Sequence, residues 1–445
     1  MSYAKQQEPL KKLHIKTWGC QMNVYDSGRM ADILAPLGYG WTEDVTKADL
    51  VIFNTCHIRE KATEKLYSGL GRLYRIKKAR EAIGENMIIA VAGCVAQAEG
   101  TEIQRRAPYV DIVFGPQNYH QLPEMIAHAD RHKKRVLNTD FPAEPKFDFL
   151  PREHVETKVS AYLSVQEGCD RFCSYCVVPY TRGAEYSRPI EAIEAEAVEL
   201  VKNGAREITL LGQNVNAQRF GLSNIINKVA AIPALRRLRY TTSHPSDMSE
   251  DLIAAHRNVP KLMPFLHLPV QSGSDPILAA MNRKHTIKDY LYVIDKLRSA
   301  RPDLALSTDF IVGFPGETEA DFQATLKLVN AVGFAQAYSF KYSRRPGTPA
   351  ATLDNQIEES VKNERLHELQ ALLRKHQGRF NQECIGKTLP VLFENPCRDK
   401  NKLFGRTPYL QAVRALGSVE LVGEEVQIRI TQANLASLKG EIPAL

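Results

Sequence analysis

Strand candidates recur along the first part of the chain, a short one at residues 13–17 and buried-type ones at 49–55, 87–92 and 111–114. Between them lie longer stretches, 26–37, 58–80 and 117–129, in which apolar positions repeat at helical spacing. Continuous apolar runs suit strands buried on both faces, and strand–helix alternation predicts a parallel sheet covered by helices. The same alternation returns on a larger scale, with strands expected at 161–166, 207–211, 238–242, 265–268, 306–312 and 337–342. Helices are expected at 189–203, 249–257, 287–300 and 319–332. Six β–α units are too few to close an eight-stranded barrel, so a partial (β/α)6 barrel is predicted, with its site at the carboxyl ends of the strands.

A helical connector follows at 357–380, where Leu366, Leu369, Leu372 and Leu373 mark a packing face. Short strands then appear at 389–393, 403–406 and 426–431, the pattern of a small all-β module. The expected organisation is an α/β chain in three parts. Residues 11–131 form an open parallel α/β sheet domain, 155–377 the partial barrel and 378–443 the β module. Residues 132–154, interrupted by Pro142, Pro145 and Pro151, read as a linker.

Composition narrows the class. The 445 residues are 44% hydrophobic and 24% charged, and carry a net charge of +7. No run of about 18 apolar residues offers a membrane span, so no membrane partner is expected. The polar first residues lack the apolar core of a signal peptide, and the expected location is the cytoplasm. Structural disulfides are rare there, so eight cysteines point to metal or redox chemistry for some of them.

Cys169, Cys173 and Cys176 stand in a C-x3-C-x2-C spacing directly after an apolar run. Zinc takes four protein ligands, or three and a water, and no histidine lies inside this loop. A cubane iron–sulfur cluster normally takes four cysteines, so three would leave one iron open to a ligand. Cys20, Cys56 and Cys94 each follow a predicted strand. In an open parallel sheet such positions share one edge, so these thiols could converge; the alternative is that each is a small buried hydrophobe.

The 169–176 motif, with Tyr175 before its last cysteine, resembles the radical S-adenosylmethionine enzymes. Trp18-Gly19-Cys20-Gln21-Met22-Asn23, Asn54-Thr55-Cys56-His57-Ile58-Arg59-Glu60-Lys61-Ala62 and Ala92-Gly93-Cys94-Val95 are similar to the cysteine motifs of the methylthiotransferases. Gln21-Met22-Asn23 and Ile58-Arg59-Glu60-Lys61-Ala62 favour the tRNA 2-methylthio-adenosine synthases (the MiaB group) over the branch acting on a ribosomal-protein aspartate. The β module resembles a TRAM domain, an RNA-binding barrel.

The resemblance implies two 4Fe–4S clusters and S-adenosyl-L-methionine as cofactors. Cys169, Cys173 and Cys176 would ligate the radical-generating cluster; Cys20, Cys56 and Cys94 an auxiliary cluster that carries the sulfur. The substrate would be tRNA carrying N6-dimethylallyladenosine, methylthiolated at C2. A low-potential electron donor and a sulfur or cluster donor would be needed, and a monomer is expected. Tyr175, Gln213, Asn214 and Asp309 are candidate contacts to S-adenosylmethionine, against ordinary core, turn or cap roles. Arg182 and Arg188 could meet carboxylate or phosphate groups or pair with local acids. His244 and His267 are expected to be hydrogen-bonded inside the barrel. Three basic areas compete for RNA: Lys61, Lys65, Arg72, Arg75, Lys77, Lys78 and Arg80; the 131–135 run; and Lys400, Lys402 and Arg406.

Overall fold

The computed structural model describes residues 11–56, 60–399 and 401–443, with 60–62 by backbone alone. His57, Ile58 and Arg59 of the second cysteine motif, the Lys61 side chain and Lys400 therefore lie outside the described residues. The chain divides into two compact units: Met1–Glu156 with Val177–Tyr186, and Thr157–Cys176 with Ser187–Leu445.

In the first unit the elements run β1 (Lys11–Trp18), α1 (Gln21–Leu34), β2 (Tyr39–Trp41), β3 (Leu50–Thr55), α2 (Glu60–Glu81), β4 (Ile88–Gly93), α3 (Cys94–Arg106), β5 (Ile112–Phe114), α4 (Leu122–His132) and β6 (Val136–Asn138). All pairings are parallel, in the order β2-β1-β3-β4-β5-β6. β3 and β4 are buried at every position, which is why they read as apolar runs, broken only by Asn54 and Thr55 at the end of β3. Leu50, Ile52, Ala90 and Ala92 pack on one face, and Val51, Phe53, Ile89 and Val91 on the other.

Two features depart from the expected pattern. β6 lies within the stretch read as a linker, and β2 was not expected. Both are three-residue edge strands, too short to show a period. Helix α1 also starts earlier than residue 26, at Gln21, because buried Asn23 and Asp26 mask its periodicity.

The second unit begins with β7 (Ser160–Ser164) and β8 (Gln166–Glu167). The short helix α5 (Val178–Arg182), which belongs to the first unit, and β9 (Tyr186–Ser187) follow the cysteine loop. Then come α6 (Ile190–Lys202), β10 (Glu207–Leu211), α7 (Leu222–Ala230), β11 (Arg237–Thr241), α8 (Glu250–Asn258), β12 (Phe265–His267), α9 (Asp275–Ala280), α10 (Ile287–Ala300), β13 (Ala305–Val312), α11 (Glu319–Val332) and β14 (Gln336–Lys341). Strands β7, β10 and β11 form one parallel sheet and β12, β13 and β14 another. A parallel bridge between Leu238 and Leu262 leads from the first toward the second, giving the partial barrel. Helix α12 (Glu359–Gln382) buries Leu369 and Leu373 in the barrel's core, as the leucine spacing requires.

The β module is a closed five-stranded barrel ordered β15 (Thr388–Pro396), β16 (Lys402–Arg406), β17 (Ala412–Leu416), β19 (Leu438–Glu441), β18 (Glu425–Ala433). β17 and β19 were not expected; each is short and lies among glycine and polar residues. The module is fastened to the partial barrel by Arg237, whose side chain is fully buried. Its guanidinium donates to Glu425 Oε2 at 2.6 Å, Arg406 O at 2.7 Å and Pro390 O at 2.9 Å.

Candidate functional site

The first cysteine set is built by sheet register. β1, β3 and β4 are adjacent, with Trp18 opposite Thr55 and Thr55 opposite Gly93. The next residues along these strands are the cysteines or lie beside them, so three distant positions meet at one carboxyl edge. Cys56 N donates to Trp18 O at 2.8 Å, which ties the loops together. Cys20 precedes the first turn of α1 and Cys94 opens α3, so both sulfurs stand at helix amino ends, where partial positive charge favours thiolate. The Cys56 thiol lies within hydrogen-bonding reach of both neighbours and can give its single proton to either. That bond, reinforced by the Arg182 charge, lowers Cys20 to about 6 and Cys94 to about 7, while Cys56 itself is raised.

Close approach at this edge requires glycine. Gly93 has φ +89°, and a Cβ there would sit 2.6 Å from Thr55 O and collide with Asn54 Oδ1. Asn54 is wholly buried and donates to Asn23 O at 2.8 Å and Ser27 Oγ at 2.9 Å, while Asn23 Nδ2 returns a bond to Asn54 Oδ1 at 3.0 Å. Asn23 Oδ1 in turn accepts from Cys20 N at 3.3 Å. Arg182 is buried and donates to Asp26 Oδ2 at 2.6 Å, and Lys146 Nζ lies 3.6 Å from the other oxygen of that carboxylate.

The second set sits in the loop after β7 and β8. Cys169 and Cys173 are buried and Cys176 half-buried. The loop is clamped from two sides. Gln166 Oε1 accepts from the backbone of Gln213 and Asn214 at 2.8 and 3.1 Å, and Gly168 N donates to Gln213 Oε1 at 2.6 Å. On the other side the end of α9 takes hold: Ser174 N donates to Met281 O at 3.0 Å and Ser174 Oγ to Ala280 O at 2.8 Å. Asn282, left-handed at φ 56°, donates from its side chain to Phe172 O at 2.9 Å. Arg283 Nη1 donates to Cys173 Sγ at 3.7 Å.

The expected contact residues fall in differing surroundings. Gln213 engages the loop backbone itself. Asn214 Nδ2 donates to Asp247 at 2.9 Å, while its buried Oδ1 has no partner among the described residues. Tyr175 packs against Ile277, Met281, Phe314 and Tyr342, and burial raises its phenol. Asp309 lies within β13 and faces His267 Nε2 at 3.5 Å, while His267 Nδ1 meets Ser307 Oγ at 2.9 Å. His244 Nδ1 accepts from Ser246 N at 3.2 Å, but its Nε2 is buried without a partner among the described residues. Burial and the Arg283 charge depress His244 to about 2. Arg188 pairs with Glu196 at 2.6 Å, one of the local-acid outcomes expected. Cys384 is part of the β module's core.

Sequence reasoning missed Asn282, Arg283, Asp26 and Lys146. An asparagine directly after a helix end was a signal for Asn282, since asparagine tolerates the left-handed conformation. Nothing local marks the other three, which act through residues distant in sequence.

Among the described residues no group of three or more His, Cys, Asp or Glu side chains already stands as a metal-ion site. What fits an iron–sulfur cluster is the donor chemistry. Each set offers three thiols, soft ligands suited to iron–sulfur clusters. What fits a polar cofactor beside the 169–176 loop is a group of buried atoms without partners among the described residues: Asn214 Oδ1, Ser243 Oγ, His244 Nε2 and Arg283 Nε.

Residues 163–329 match the Radical SAM superfamily, 382–442 the TRAM domain and 12–115 the model described as "Uncharacterized protein family UPF0004". A tRNA-2-methylthio-N(6)-dimethylallyladenosine synthase from Maricaulis maris (strain MCS10) is 57% identical over 444 residues, which cover 97% of each chain. The chain belongs to the tRNA-2-methylthio-N(6)-dimethylallyladenosine synthase family. Enzymes of this radical S-adenosylmethionine family use S-adenosylmethionine and 4Fe–4S clusters. Among solved structures, the radical S-adenosylmethionine methyltransferase TsrM from Kitasatospora setae superposes with a TM-score of 0.58 at 13% identity, covering 77% of this chain and 75% of that one. The cobalamin-dependent S-adenosylmethionine radical enzyme OxsB gives a TM-score of 0.54 at 11% identity, covering 82% and 56%. At those identities the likeness is one of fold.

Proposed function

We infer that this family member adds a methylthio group to C2 of N6-dimethylallyladenosine next to the anticodon of tRNA, with its two cysteine sets dividing the work. The convergence of Cys20, Cys56 and Cys94 at adjacent strand ends, apart in sequence from the 169–176 loop, carries this reading. Cys169, Cys173 and Cys176 would hold the cluster that, when bound, supplies a 5′-deoxyadenosyl radical from S-adenosylmethionine. The residues around them bind and exclude. Gln166 and Gln213 fix the loop's first turn, and Ser174 and Asn282 fix its middle. Asn214, Ser243 and His244 keep polar atoms available for the cofactor. In the other set, Gly19 and Gly93 let the backbone close around the thiols, and Arg182 places positive charge beside them. An aromatic C–H bond lacks useful acidity, so a radical route is required where acid–base catalysis fails.

A low-potential electron donor and a sulfur or cluster donor would serve the enzyme. A cytoplasmic location suits eight free thiols, which an oxidising compartment would tend to pair.

The test is an anaerobic assay of reconstituted protein with tRNA carrying dimethylallyladenosine and a low-potential reductant. Nucleoside mass spectrometry should show methylthio addition; an unchanged nucleoside with both clusters intact would overturn the reading. Cys173→Ala should abolish reductive cleavage of S-adenosylmethionine. Cys56→Ala should leave cleavage and stop sulfur transfer; loss of cleavage with the first cluster intact would refute the division of labour.

A further inference from the structure

The 169–176 loop has two arginines within reach, and they differ in how their charge is met. Arg171 belongs to the loop and pairs with the carboxylate of Asp247, which in turn accepts from Asn214 at 2.9 Å. Arg283 reaches in from the segment after α9. It forms no ion pair with a carboxylate among the described residues. Its Nη2 donates to Pro269 O at 2.6 Å, its Nη1 to Cys173 Sγ at 3.7 Å, and its Nε is buried without a partner.

The groups packed around it do not neutralise it. His244 and His285 stand edge to face at 5.5 Å, both uncharged near neutrality because burial and the guanidinium depress them to about 2 and about 4. A partly buried guanidinium without a counter-ion is costly. The nearest soft acceptor is the sulfur it already touches.

We propose that Arg283 is the counter-charge of the 169–176 thiolate loop and, through its N–H···S bond to Cys173, sets the reduction potential of the cluster held there. This rests on the functional reading above. It is a positioning and electrostatic role, not a contact with reacting atoms. Accepting an electron makes a thiolate-ligated cluster more negative. A fixed positive charge and a hydrogen bond to sulfur stabilise the reduced form and raise the potential. Without them the cluster is harder to reduce by a low-potential donor.

The experiment uses the full chain with Cys20, Cys56 and Cys94 replaced by alanine, so that one cluster alone is read. Its potential is measured by an electron paramagnetic resonance titration without S-adenosylmethionine or tRNA. Arg283→Gln should load iron normally and show a more negative potential, with Arg283→Lys between Gln and wild type. S-adenosylmethionine cleavage should slow in the same order. An unmoved potential in a loaded Gln variant overturns the proposal. So does weakened S-adenosylmethionine binding with an unmoved potential, which would make Arg283 a cofactor ligand instead. If the Gln variant loads no cluster, Arg283→Lys decides: a potential below wild type supports the proposal and an equal one overturns it. Failure of the wild-type chain to cleave S-adenosylmethionine would count against the functional reading, whereas a normal wild type with an unmoved variant counts only against Arg283.

Discussion

Gly93 shows how little room the first cysteine site leaves. Its φ of +89° and extended ψ of −163° belong to a region open essentially to glycine alone. The thiol of the next residue, Cys94, can point to its partners only because the strand end turns there. Gly93→Ala should cost about 1–3 kcal/mol in a denaturation experiment. It should also lower the iron content by one cluster, while the spectrum of the 169–176 cluster persists. Both changes are needed, since loss of stability alone would mark Gly93 as a fold residue only. The motif around Gly93 was legible in the sequence. The reason for its glycine was not, because the clash is with Thr55 and Asn54 on a different strand.

At the scale of elements, β10 and β11 carry a buried charge cluster that reaches the β module. Arg239 pairs with Glu207 at 3.0 Å and donates to Pro408 O at 2.7 Å, alongside the bonds made by Arg237. Burial works against the Glu207 carboxylate, but the charges of Arg239 and Arg237 outweigh it and hold its pKa below the ordinary value. A lowered folded-state pKa contributes stability that is fully present above the ordinary glutamate range. That stability is lost as pH falls through the lower folded value. Glu207→Gln should therefore destabilise the second unit by about 3–5 kcal/mol at neutral pH, by leaving Arg239 buried and unpaired. The gap to wild type should shrink as the pH of a urea titration is lowered into the acid range. A constant gap would assign the loss to packing. Periodicity exposed the strands and helices of this unit, but arginines inside a strand read as solvent-facing positions, so this joint was invisible in the sequence.

At the scale of the molecule, several of the basic residues that looked free are already occupied. Lys77 pairs with Asp111 at 2.6 Å, Lys78 with Glu81 at 2.7 Å and Arg80 with Asp49 at 2.9 Å. In the β module Lys402 pairs with Asp399 and Arg406 with Glu394. Cross-strand register instead brings Arg414 of β17 opposite Lys439 of β19, both exposed and without an ion pair among the described residues. On α2, Lys65, Arg72 and Arg75 are exposed and likewise unpaired. Phosphate contacts give affinity that falls with salt. The double substitution Arg414→Gln with Lys439→Gln should weaken tRNA binding and reduce the salt slope by about one per lost contact. Lys402→Gln should leave the slope nearly unchanged. A filter-binding series across salt concentrations would separate the two, and equal slopes would move the RNA surface off the barrel.

The sequence by itself determined the strand–helix alternation, the partial barrel and the thiol chemistry, because periodicity and cysteine spacing are local properties of the chain. It also placed Cys20, Cys56 and Cys94 after successive strands. Tertiary structure alone decided what surrounds those thiols. Register joined β1, β3 and β4 so that the cysteines meet, and the segment after Cys176 brought Arg182 to the first set. The end of α9 brought Asn282 and Arg283 to the second. Charge on a side chain is visible in a sequence, but whether it is paired, buried or free depends on which distant strand folds beside it.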